Sequence, residues 1–277
     1  MRALLHNRRA MVGMLILLTY VLMALFGRFL CPLDSMPRYE DRFLYPSLQH
    51  WLGTDYAGRD VLAEIISGSR DILLIAFSTG LFATLIALLM GLGAALAGGT
   101  VEVVLTGLTD IFLTMPTFPV MAIFASLFRV NDPISFGLVL SLWCWPGLAR
   151  SLRSLAGMLL QREFVEVARV MMMGNSHILW RELLPNLVPF VTLNFISIAR
   201  NAITASVGIM LLGLVPLRVE NWGMMLNLAA FQSGALFLPQ GLTYLLAPLT
   251  AIILFQVALM QVAAGLEEIF DPRLDRS

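Results

Sequence analysis

The sequence predicts an all-α, polytopic membrane protein with six transmembrane helices, and three observations carry this. The 277 residues are 58% hydrophobic and only 13% charged, against about 45–50% and about 25% in soluble domains. Mean hydropathy is +0.83. Apolar runs at 10–27, 72–99 and 242–265 reach the roughly 18–20 residues needed to cross a bilayer.

The first span, 10–30, follows Arg8 and Arg9. A charged start before an apolar run suits a signal peptide. This run is longer than a signal core and no small-x-small cleavage site follows, so it reads as a retained helix. Residues 1–9 form a cytoplasmic N-terminus and 31–71 an external polar loop. Five further spans follow at 72–97, 106–128, 134–149, 187–215 and 240–265, with a cytoplasmic segment at 150–186 and a cytoplasmic tail at 266–277. The orientation rests on retained cytoplasmic arginine. With both termini inside, Arg2, Arg8, Arg9, Arg150, Arg153, Arg162, Arg169, Arg181, Arg273 and Arg276 are cytoplasmic, against seven arginines outside.

Several chemistries are excluded by composition. All 18 basic residues are arginine. A nucleotide-binding GxxxxGK[ST] loop requires lysine, as does Schiff-base catalysis, so any ATP hydrolysis that powers this chain must occur on another one. The sequence holds neither HExxH nor GxSxG, and His6, His50 and His177 lie in separate polar segments, so no enzyme site is expected. Cys31 and Cys144 suggest neither a disulfide framework nor a zinc site. No spacing marks His50, Asp55 and Asp60 as metal ligands, and Met171–Met173 read as flexible packing surface. Zero net charge gives no sign of nucleic-acid binding.

The stretch 163–186, EFVEVARVMMMGNSHILWRELLPN, interrupts the apolar pattern. Phe164, Val167, Ala168 and Met171 recur at i, i+3, i+4 and i+7, one face of a helix. Gly174 would end that helix, Asn175 or Ser176 would cap a second short one over 177–184, and Pro185 precedes the next span. The result is a cytoplasmic helical hairpin with an apolar face. Burying Phe164, Val167 and Met171 against a partner would contribute about 1.5–3 kcal/mol each; a hairpin lying on the membrane is the other option.

These residues resemble the permease subunits of ABC importers, whose cytoplasmic EAA loop reads E-A-A, then glycine, then L-P. Glu166, Val167 and Ala168 take the E-A-A positions, and Leu184 and Pro185 the closing L-P. Met172 stands at the usual glycine, with Gly174 two residues later. A second stretch, HWLGTDYAGRDV over 50–61, resembles the LGTDxxGRD segment of one permease of peptide and nickel importers. Its members here are Gly53, Thr54, Asp55, Gly58, Arg59 and Asp60; on the residues alone, they read as a turn, a helix cap and an i, i+4 ion pair. Leu212–Gly213–Leu214, Asn221–Trp222–Gly223 and Asp271–Pro272–Arg273–Leu274 resemble further family elements. The resemblance implies the six-helix type I importer fold in a bacterial inner membrane. It also implies a second, different permease subunit, two ATPase subunits holding ATP and Mg, and an external binding protein. The chain itself would carry no cofactor and no catalytic residue.

Within the fifth span, Asn194, Ser197, Asn201, Thr204 and Gly208 fall in an arc of about 80° at 100° per residue, with Arg200 at its edge. An ionisable group at membrane depth usually faces a bundle interior or an aqueous path. The stripe reads either as a translocation path or as helix packing through small polar residues. Asp110, Thr114, Thr117 and Met121 form a weaker parallel in a third span kinked by Pro116 and Pro119. The wording HWLGTD and QREFV leans slightly towards nickel or a metal chelate over di- and oligopeptides. A self-sufficient secondary transporter or channel is the alternative. Such proteins carry coupling charges and often inverted repeats, whereas this sequence has one arginine at span depth and no repeat.

Overall fold

The computed structural model describes residues 8–34, 36–128, 130–215 and 217–270. Arg2, Arg129, Arg273, Arg276 and the 271–274 element lie outside the described residues. Among the described residues, four helices are long and apolar enough to cross a membrane, or five if one sharply bent pair is a single span.

Helix α1 (Arg8–Leu30) lies along the last helix, α10 (Leu242–Phe270). Small residues set this approach: a Cβ on Gly13 would sit 2.8 Å from the Ala258 carbonyl oxygen. Tyr20 closes the seam, its hydroxyl donating to the Ala251 carbonyl at 2.9 Å and its ring set edge-on to Phe255 and Trp222.

Helix α2 (Val61–Ala97) has 37 residues, about 55 Å at 1.5 Å per residue. It therefore begins eleven residues before the predicted span, inside what the sequence suggested was loop. Asp60 caps it by accepting the Ala63 N–H at 2.9 Å. Its polar early turns are tolerated because distant elements cover them: the buried Trp222 indole donates to the Ile65 carbonyl at 3.0 Å.

The third span is a break rather than a kink. Helix α3 (Gly99–Thr114) and α4 (Thr117–Leu127) meet at 91°. Pro116 has no N–H to continue the ladder and pushes Met115 to an extended conformation. Helix α5 (Pro133–Cys144) has only 12 residues, and its continuation α6 (Pro146–Leu159) begins across Trp145.

Helix α7 (Glu163–Val170) is followed by a helix that runs unbroken over 175–211. The sequence suggested a separate helix over 177–184, ended by Pro185. Instead Ile178–Leu183 widens to π geometry, with the Leu184 N–H donating to the Leu179 carbonyl five residues back. This wider turn carries the helix past a proline that has no N–H to give. The regular part, α8, is Leu184–Leu211 and stops four residues short of the predicted span end. Short helix α9 (Trp222–Asn227), capped by Asn221, inserts Trp222 into the core.

Candidate functional site

The hairpin is built from α7 and the helical turn after it. Val165 and Ala168 are buried in one cluster with Leu148, Leu152 and Ala156 of α6 and with Ile178 and Leu183. Phe164, Val167 and Met171 are exposed, as are Val170, Met172 and Trp180. The outward apolar face predicted from periodicity is thus present, except that Ala168 turns inward. Val165, which lay off the predicted stripe, is its buried partner. Glu166 is exposed, Leu184 half-buried and Pro185 exposed.

The turn departs from expectation. Gly174 has φ −70° and ψ 163°, an extended conformation open to any residue, and it precedes the next helix. Met172 takes the left-handed conformation, at φ 56°. The Met173 N–H donates to Ala168 at 3.0 Å and the Met172 N–H to Arg169 at 2.9 Å. That is a Schellman turn with methionine where glycine normally sits. The side chain has room, being almost wholly exposed, but a non-glycine residue there is strained by about 1 kcal/mol. Replacing Met172 with glycine should raise stability by up to about 1 kcal/mol, read as a higher unfolding temperature in detergent. Gly174→Ala, whose Cβ meets no atom within 4 Å, should leave it unchanged.

The segment 50–61 is a closed knot on the opposite side of α2 from its Gly98 end. Asp55 is fully buried and takes four bonds: the Ala57 and Arg59 N–H groups at 2.8 and 2.7 Å on one oxygen, and the Arg59 guanidinium at 2.9 and 2.6 Å on the other. Burial works against the Arg59 charge, but the Glu64 and Asp55 carboxylates outweigh it and raise its pKa. Thr54 accepts the Leu44 N–H at 2.8 Å and donates to the Asp41 carbonyl at 2.5 Å. Asp60 faces His50 Nδ1 at 2.8 Å as well as capping α2. Gly53 and Gly58 hold φ of 75° and 80°. A Cβ on Gly58 would lie 2.0 Å from the Arg38 carbonyl oxygen, so both structure and space demand glycine. Every polar member of the motif thus has a bond or cap to account for it.

The α8 stripe borders two cavities in succession. Asn194, Ser197 and Arg200 line one of about 290 Å³ with Met260 and Glu267 of α10. Asn201, Thr204 and Gly208 line another of about 630 Å³ with Phe118 and Met121 of α4 and Trp143 of α5. Asp110 joins neither: it pairs with Arg150, beside the Glu102–Arg153 pair, around a separate recess. Two stripe neighbours were not legible in sequence. Gln256 donates to Thr204 Oγ1 at 3.0 Å and to the Arg200 carbonyl at 3.1 Å, and Trp143 lies on a helix with no polar stripe.

The profile of the binding-protein-dependent transport system inner membrane component family matches residues 74–276. The chain belongs to this family. The N-terminal transmembrane domain of oligopeptide transport permease C matches residues 1–47. A Brucella suis biovar 1 protein named as a peptide permease is 36% identical over 98% of this chain and 89% of its own. The di/tripeptide transport system permease protein of Pseudomonas aeruginosa is 28% identical over 97% and 89%. The nickel transport system permease protein of Escherichia coli K12 is 29% identical over 78% of each chain. The chain is therefore a multi-pass permease subunit of an ABC importer of the peptide and nickel class. Within this permease, the hairpin, the 50–61 knot and the cavity-lined stripe are three distinct places, joined by α2 and α6.

Proposed function

We propose that this permease forms half of the pathway of an inner-membrane importer for short peptides, driven by ATP and Mg on two separate ATPase subunits. A second, different permease subunit would complete the path and an external binding protein would deliver substrate. Both termini would be cytoplasmic. The six-span, type I arrangement requires that α3 with α4 cross once and that α5 borrow the start of α6. Alone, α5 covers about 18 Å of a core about 30 Å thick.

The observation that carries this reading is the anchored hairpin. Val165 and Ala168 fix α7 to α6, while Phe164, Val167 and Met171 face outward, 39%, 57% and 64% exposed among the described residues. An ATPase subunit docked there would move α7 and α6 as one body, shifting the balance between two access states. Peptide is favoured as substrate because the relatives named for peptides match 97–98% of the chain. Nickel or a metal chelate is the second reading, supported by the nickel-named relative and by the HWLGTD wording.

The test is ATPase stimulation of the reconstituted complex with its cognate binding protein, comparing dipeptides, nickel and metal chelates. Stimulation by nickel alone would overturn the peptide reading. Arg200, half-buried at the middle of α8 beside Asn194 and Ser197, should matter to transport. Arg200→Gln is expected to lower uptake at least tenfold, about 1.4 kcal/mol of barrier, with assembly intact. Unchanged uptake would remove Arg200 from the path.

A further inference from the structure

The 630 Å³ cavity has a composition that the neighbouring cavity lacks. Phe118 and Met121 come from α4, Trp143 from α5, and Ile198, Asn201 and Thr204 from α8. None of its lining residues is Asp, Glu, Arg or His. Arg200 and Glu267 stand in the other cavity, nearer the α7 end of α8. The break at Met115–Pro116 creates the space, since the 91° turn brings the first turn of α4 alongside α8. Gly208 preserves it, because a Cβ there would lie 3.0 Å from the Phe118 ring. Trp143 also keeps a buried indole N–H with no acceptor among the described residues.

We propose that this cavity is a side-chain subsite that selects apolar and aromatic residues of a peptide in transit, an inference that rests on the peptide reading above. An apolar side chain gains contact with Phe118, Met121, Trp143 and Ile198 while leaving water. A charged one loses hydration and meets no counter-charge. A bare divalent cation meets neither carboxylate nor imidazole, and the single Cys144 thiol with the Met121 thioether falls short of a ligand set. Charged parts of the substrate are served instead by the cavity that holds Arg200 and Glu267.

The experiment is uptake into proteoliposomes carrying the complete importer, with Gly-Gly, Ala-Phe and Ala-Lys each at a concentration that saturates the binding protein. The wild type should carry Ala-Phe at least about tenfold faster than Ala-Lys, the size of discrimination a matched pocket supplies. Thr204→Trp, which fills the cavity, should cut Ala-Phe uptake about tenfold relative to Gly-Gly. Asn201→Asp should raise the Ala-Lys to Ala-Phe ratio by a similar factor. Equal wild-type rates for Ala-Phe and Ala-Lys would overturn the subsite, as would wild-type ratios retained by both variants, and the wild-type comparison decides even where a variant fails to assemble. Failure of the wild type to carry any dipeptide, with nickel transported, would overturn the peptide reading itself.

Discussion

Replacing Arg59 with methionine is expected to destabilise the permease by about 3–5 kcal/mol, because it leaves buried carboxylates without their cation. Asp55 and Glu64 are both fully buried, and Arg59 is 8% exposed between them. The two carboxylates are not equivalent. Asp55 is saturated by four bonds. Glu64 Oε1 lies 3.2 Å from Arg59 Nη2, close enough to attract it, yet neither Glu64 oxygen makes an aligned hydrogen bond among the described residues. Glu64→Gln should therefore be tolerated far better than Arg59→Met. Against a total stability of about 5–15 kcal/mol, the Arg59 loss is large. The measurement is the monodisperse yield after detergent extraction, followed by thermal unfolding. An Arg59→Met permease as stable as wild type would refute the assignment of this segment as the knot that holds the start of α2 in place.

The second large effect concerns coupling. Val167→Asp should abolish assembly with the ATPase subunits while leaving the permease folded. Val167 is 57% exposed and points away from the Val165–Ala168 anchor, so the permease alone has little to lose. In the complex, the variant forfeits about 1.5–3 kcal/mol of apolar burial and adds an unpaired charge to a dry contact. Each 1.4 kcal/mol is tenfold in affinity, so copurification of the ATPase subunits should fall by at least tenfold. Phe164→Ser should weaken it in the same direction. Val165→Asp should instead damage the permease itself, since that side chain is fully buried. Retained assembly and transport in Val167→Asp would show that this face meets something other than the ATPase subunit.

Much of this was legible in local sequence. Apolar runs marked the long helices, and the spacing of Phe164, Val167 and Met171 marked the outward face of α7. What escaped was set by groups far away in the chain. The polar start of α2 reads as loop until Trp222 and the Glu220 carbonyl are seen to lie against it. The partner of Asp110, Arg150, stands forty residues on in the chain. Pro185 reads as a stop, and only a shift to five-residue hydrogen bonding carries the helix through. Met172 shows the converse. Its left-handed turn is closed by the backbone N–H groups of Met172 and Met173, so nothing in the methionine side chain announces it.

Helix α2 has one more consequence. Its first turn is fastened to the 50–61 knot through Asp60, and near its far end Gly91 lies so close to α6 that a Cβ would come within 2.5 Å of the Ala149 carbonyl oxygen. Leu92 shares a cluster with Ala149, Leu152 and the Val165–Ala168 anchor of α7. A continuous rod about 55 Å long therefore runs from the 50–61 knot to the cluster that anchors the hairpin. If, as proposed, a delivery protein binds at the knot and favours one tilt of that rod, it changes the affinity of the hairpin for an ATPase subunit by some factor. Thermodynamic reciprocity then requires that subunit to change the affinity at the knot by that same factor. Under the proposed function, cargo arrival and fuel consumption become two readings of a single coordinate.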